Sequence, residues 1–164
     1  MNIYVTDGIG SGRTEKSAFD AALFSAGVAN YNILELSSVI PDKSKIVIGK
    51  IDRNAVGEHG YKLYAVLASQ TAKNVGEEAW AGIGWVVDGK TGGGLFVEHH
   101  GHSREEVDKL IVHSLEDMVK YRVTHDFGSI QKRIAGIECK EEGLPACALV
   151  CAYYQSESWE KKSQ

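Results

Sequence analysis

Two stretches of this chain carry helical periodicity, and every other patterned stretch reads as strand. The order is β-α-β-β-β-β-β-α-β-β, with runs of strands between the helices. A repeating parallel βαβ unit needs a helix after each strand, and this order lacks them. It points to an α+β fold, an antiparallel β-sandwich covered by helices. With 164 residues, the chain is the size of a single domain, 1–164, that needs no disulfide staples to bury a core.

The clearer helix runs from Ser103 to about Tyr121. Ser103-Arg104-Glu105-Glu106 has the form of a capping box, in which Ser103 and Glu106 each satisfy an orphaned backbone amide. Val107, Leu110, Ile111, Leu115 and Met118 follow as one apolar stripe at three- and four-residue spacing. The other helix is alanine-rich, Thr14 to Ala26, with Gly27 as its cap. Strands are expected at Asn2–Thr6, Tyr31–Leu36, Ile46–Ile48, Tyr61–Ser69, Ala79–Val87, Leu95–Glu98, Arg133–Cys139 and Ala146–Tyr154. The second of these runs straight into Ser37-Ser38-Val39-Ile40-Pro41, and a polar tail closes the chain at Gln164.

Composition narrows the partners. The chain is 43% hydrophobic and 24% charged with a net charge of −4 and no basic block, a poor match for nucleic-acid binding. No apolar run approaches the ~18 residues of a membrane span, and MNIYVTDG lacks the basic start of a secretory signal. Cys139, Cys147 and Cys151 match no zinc spacing and read as reduced thiols, so the expectation is a cytoplasmic protein without membrane or nucleic-acid partners.

Three motifs offer chemistry. Asp7-Gly8-Ile9-Gly10-Ser11-Gly12-Arg13 falls between a strand and a helix, where a phosphate can rest on helix amides. Its glycine spacing is not G-x-G-x-x-G, and a tight structural turn is the better reading. In Glu98-His99-His100-Gly101-His102 adjacent histidines on a strand point to opposite faces and cannot share one ion without a bulge. A solvated strand end is therefore expected, with no metal. No G-x-S-x-G elbow supports a serine hydrolase.

The third motif is Ser37-Ser38 in its surroundings. The runs Ala18-Phe19-Asp20-Ala21-Ala22-Leu23, Ala26-Gly27, Asn30-Tyr31-Asn32 and Leu36-Ser37-Ser38-Val39-Ile40-Pro41 resemble the pyruvoyl-dependent arginine decarboxylase family. Gly94-Leu95-Phe96-Val97-Glu98, ahead of Gly101 and the capped helix, is similar to that family's second block. The resemblance extends from Val5 to Tyr154 and departs from the family at Glu15-Lys16-Ser17, where the usual run is Pro-Leu-Asn.

The resemblance implies a proenzyme that cuts itself after Ser37, giving a small chain 1–37 and a large chain 38–164. The Ser38 hydroxyl attacks the Ser37 carbonyl and converts the amide into an ester. Loss of the Ser38 Cα proton expels the Ser37 carboxylate, and hydrolysis of the resulting dehydroalanine releases ammonia and leaves a pyruvoyl group. Such a rearrangement needs strain at the 37–38 bond and donors for an oxyanion, for which Asn32 is a candidate. The implied activity is decarboxylation of arginine to agmatine through a Schiff base between substrate amine and pyruvoyl ketone, with no external cofactor. Glu98 is implied as the proton donor, in an apolar setting made by Leu95, Phe96 and Val97 that would favour its protonated form. Asp20, and with it Asn32, is implied in substrate binding, a carboxylate being a natural partner for a guanidinium. A homo-oligomer of cut pairs is implied as well, a trimer or a multiple, with sites between subunits. Two other readings stay open: the same chemistry on another amino acid such as histidine, and an uncut oligomer that senses a small cation.

Overall fold

A computed structural model describes residues 1–50 and 58–160. In chain order the elements are β1 (Asn2–Ser11), α1 (Glu15–Ala26), β2 (Asn32–Glu35), β3 (Val39–Ile40), β4 (Lys45–Ile48) and β5 (Lys62–Ala72). They continue with β6 (Glu78–Val87), β7 (Gly94–Gly101), α2 (Arg104–Lys120), β8 (Gln131–Glu138) and β9 (Ala146–Glu157). From Lys161 onward the expected polar tail lies outside the described residues.

The strands form a five-stranded sheet, β2-β5-β9-β1-β4, and a four-stranded sheet, β3-β7-β6-β8. They stack face to face with a helix on each outer side, the expected sandwich covered by helices. Pairing is antiparallel except at both margins of the larger sheet, where β4 runs parallel to β1 and β2 parallel to β5. Alternation along each strand explains the layers. On β9, Ala148, Val150 and Ala152 turn one way, while Cys147, Leu149, Cys151 and Tyr153 pack beneath α1. Ile3, Val5, Val66, Val150, Ile83, Trp85 and Phe96 fill the space between the sheets. Burying such side chains contributes about 1.5–3 kcal/mol apiece, the largest favourable contribution to this fold.

The glycine-rich stretch after Thr6 is not a loop. Gly8 and Gly10 belong to β1, which continues to Ser11. A Cβ on Gly8 would lie 2.6 Å from the Ala26 nitrogen, and one on Gly10 would lie 2.5 Å from the Ala22 nitrogen. The glycines thus let α1 settle directly on the strand backbone, which excludes both a phosphate cradle and a turn. Gly82 and Gly84 do the same for α2 on β6, but what approaches them is Val107 and Ile111 side chains rather than a backbone.

The helix ends differ in detail from the expected pattern. Thr14 and Ser17 close a full capping box on α1, so the departure from the family at Ser17 serves the helix start. At α2, Ser103 Oγ accepts from the Glu106 amide at 3.2 Å, but the Glu106 carboxylate accepts from the His102 amide, one residue earlier than a reciprocal box requires. The stripe of α2 is Val107, Ile111 and Leu115 with Met118 at its margin, while Leu110 is exposed. The three cysteines are buried free thiols, and burial pushes the Cys151 thiol up to about 12.

Candidate functional site

Ser37 and Ser38 sit where the chain leaves one sheet for the other. The expected continuous strand is broken here. Leu36 makes the last tie to the larger sheet, donating its amide to the Ala65 carbonyl at 2.9 Å. Ser38 makes the first tie to the smaller sheet, its carbonyl accepting from the Phe96 amide at 2.8 Å. Val39 then pairs with Leu95, and Ile40 with Gly94. A single residue, Ser37, spans the gap between the two anchors.

That crossing imposes an unusual backbone. Ser38 has φ +65°, in the left-handed region, which costs an L residue about 1–2 kcal/mol. It is only 9% exposed, and its Oγ donates to Glu98 Oε2 at 2.7 Å. Glu98 comes from the middle of β7, two residues beyond the Phe96 that anchors Ser38. Tyr154, near the end of β9, reaches across the sandwich and donates its hydroxyl to the Val39 carbonyl at 3.0 Å.

An open cavity of about 350 Å³ lies beside the serine pair, lined by Ser37, Ser38, Phe96, Val97, Glu98 and His99, with Ser114 and Met118 of α2. His99 Nε2 meets Ser114 Oγ at 2.8 Å, while His100 points to the other face and meets Gln70 at 2.8 Å. Desolvation holds the His99 imidazole below its usual pKa, against the opposing pull of Glu98, with His100 lowering it further. Both histidines lie just before β7 ends at Gly101, and His100 is exposed as expected of a solvated strand end, whereas His99 is half-buried and lines the cavity. No group of three or more metal-binding side chains occurs among the described residues.

The structure brings together Ser37, Ser38 and Glu98, which lie in distant parts of the sequence, and it leaves two other candidates outside the cavity of their own chain. Asp20 is exposed on α1, on the outer side of the larger sheet. Asn32 is exposed on β2, and its amide donates to the Gly60 carbonyl at 2.7 Å rather than toward Ser37. The apolar setting of Glu98 also differs from expectation. Leu95 and Val97 face α2, only Phe96 shares the inner side with Glu98, and Glu98 itself is exposed. Tyr154 was not apparent from sequence, because its contact with Val39 spans 115 positions of chain. The one signal for it is strand alternation, which puts residue 154 on the inner face with Val150 and Ala152. Chemically, the arrangement offers a hydroxyl nucleophile held against a carboxylate, next to a strained backbone and an open cavity.

A family model described as pyruvoyl-dependent arginine decarboxylase matches residues 2–158. The pyruvoyl-dependent arginine decarboxylase of Picrophilus torridus is 35% identical over 105 residues, covering 63% of this chain and 57% of that relative's length. Its counterpart in Thermoplasma volcanium is 31% identical over 141 residues, covering 85% of this chain and 75% of the relative. That of Thermococcus sibiricus is 30% identical over 140 residues, covering 85% and 86%. Among solved structures, a pyruvoyl-dependent histidine decarboxylase aligns with a TM-score of 0.42 and 19% identity, over 58% of this chain and 51% of that one, too slight a likeness to argue from.

Proposed function

Because this chain belongs to the pyruvoyl-dependent arginine decarboxylase family, we propose that it cuts itself between Ser37 and Ser38, carries a covalent pyruvoyl group made from Ser38, and decarboxylates arginine to agmatine. The observation that carries the reading is Ser38 itself, a buried non-glycine residue at φ +65° whose hydroxyl is 2.7 Å from a carboxylate. These residues fit the group: the precursor hydroxyl is present, its proton has an acceptor, and strain is stored beside the bond that must break.

In the uncut chain, Glu98 takes the Ser38 Oγ proton as Oγ attacks the Ser37 carbonyl carbon. The carbon–nitrogen bond of the peptide breaks, the Ser38 nitrogen gains a proton, and the chain continues through an ester. The pyruvoyl ketone, once made, supplies the electron sink that a carbanion at the substrate Cα needs. Glu98, in its protonated form, donates a proton to that carbon, and Phe96, Val97 and Met118 make the apolar part of the cavity lining. Asp20 is the partner of the substrate guanidinium, and Asn32 is a second substrate-binding residue. Both are exposed and neither lines the cavity of its own chain, so this role requires a homo-oligomer, a trimer or a multiple of one, in which a neighbour brings them to the site. No helix among the described residues is long and apolar enough to cross a membrane. Reduced cysteines fit a cytoplasmic enzyme, with polyamine supply as one use of its product.

Denaturing mass spectrometry of the freshly purified protein tests the first step. Two pieces, 1–37 and 38–164, the larger without a free amine, support the reading. One intact chain of 17.9 kDa removes it and leaves an uncut sensor of small cations. An amine-release assay across arginine, histidine, lysine, ornithine and aspartate then tests the substrate, and turnover of histidine instead of arginine would overturn that part alone.

A further inference from the structure

We propose that the Tyr154 hydroxyl is the positioning group that keeps residues 38 and 39 in place once the backbone is cut, aiming the carbonyl-bearing end of the large chain into the cavity. The inference rests on the self-cleavage reading above. It starts from a mechanical problem. Before cleavage the crossing is held from both sides, by the Leu36 amide on Ala65 and by the Phe96 amide on the Ser38 carbonyl. Cleavage after Ser37 removes the first anchor. The new end then belongs to β3, a strand of two residues at the margin of its sheet, and so short an end strand opens readily.

Tyr154 is built to compensate. Gln155 of β9 pairs with Tyr64 and Tyr153 pairs with Ala65, so Tyr154 is the extra residue of a β-bulge. Bulges bend a strand and re-aim a side chain, and this one sits in the middle of the larger sheet, between β5 and β1. The ring packs edge-on to Phe96 with centroids 6.2 Å apart, which fixes its direction. From there the hydroxyl crosses to the smaller sheet and meets the Val39 carbonyl at 3.0 Å. Phe96 thus anchors residue 38 with its amide and braces the tyrosine that anchors residue 39 with its ring. Burial first and the Glu98 charge second push the phenol pKa up, so the hydroxyl remains a donor.

The test is Tyr154→Phe, which keeps the ring and removes the donor. Thr6→Val serves as the control, because it removes another hydroxyl donor to a backbone carbonyl, Ala26 at 2.9 Å, far from the cavity. Amide hydrogen exchange at Phe96, which donates to the Ser38 carbonyl, and at Ile40, which pairs with Gly94, is read in the cut enzyme and in an uncut Ser38→Ala background. The extent of cleavage, kcat and KM are read alongside. In the cut enzyme, Tyr154→Phe should speed exchange at these two amides and lower kcat, each about 3- to 10-fold, with KM and the extent of cleavage unchanged. In the uncut background exchange should not change, and Thr6→Val should alter neither quantity. An equal effect of Tyr154→Phe on exchange in the cut and uncut forms overturns the proposal, as does a kcat within twofold of the parent or a kcat loss matched by Thr6→Val. Failure of the parent protein to cleave would sink the self-processing reading instead, a result these comparisons keep apart.

Discussion

The glycine run of β1 and the serine pair after β2 invert the usual relation between residue and backbone. Gly8 and Gly10 stand in extended conformations that any residue can adopt, whereas Ser38 holds a left-handed one that glycine would take more easily. In the first region the absence of a side chain is what matters, since α1 rests where Cβ atoms would be. In the second, a side chain is kept despite its backbone cost, and its hydroxyl is aimed at Glu98. Glycine in β1 answers a packing demand. Serine at 38, on the proposed reading, answers a chemical one.

Substitutions can break or sharpen that contrast. Ser38→Ala and Ser38→Gly should both abolish cleavage, each giving one intact chain by denaturing mass spectrometry. Glu98→Gln should cut itself more slowly, because Gln cannot take the Ser38 proton, yet still reach the cut form since each chain is cut only once. It should then lose about 10²- to 10⁴-fold in kcat in the amine-release assay. Gly10→Ala, made in the uncut Ser38→Ala background, should lower stability to urea by about 1–3 kcal/mol, because the added methyl meets the Ala22 backbone. Gly82→Ala in the same background should cost less, since its nearest atoms are side-chain methyls of Val107 and Ile111 that can give way. Last, uncut Ser38→Gly should be about 1 kcal/mol more stable than uncut Ser38→Ala. Equal stabilities would remove the claim that position 38 is strained.

The same contrast explains what could be read in advance. Both helices, the caps at Gly27 and Ser103 and most strand centres follow from local sequence, and so does the sandwich, because long runs of strand have few other ways to bury both faces. The extent of β1 did not follow, since glycine suggests a turn until the helix lying on it is known. Nor did the break at Ser37-Ser38, where no glycine or proline marks a strand that changes sheets. Of the site, Ser37, Ser38 and Glu98 were named from motif resemblance. Their meeting depends on β3 pairing with β7, a contact made across some sixty positions of chain. Tyr154 depends on a bulge, and the residues on either side of it carry no local sign of one.

The position of β1 has a thermodynamic consequence for the proposed cut form. This strand belongs to the 1–37 piece, yet it is flanked by β9 on one side and β4 on the other, both from 38–164. Separating the two pieces therefore means dismantling the larger sheet, so dissociation and denaturation become one event. Refolding of the severed pair would be second order, and its melting point should climb as the sample is concentrated.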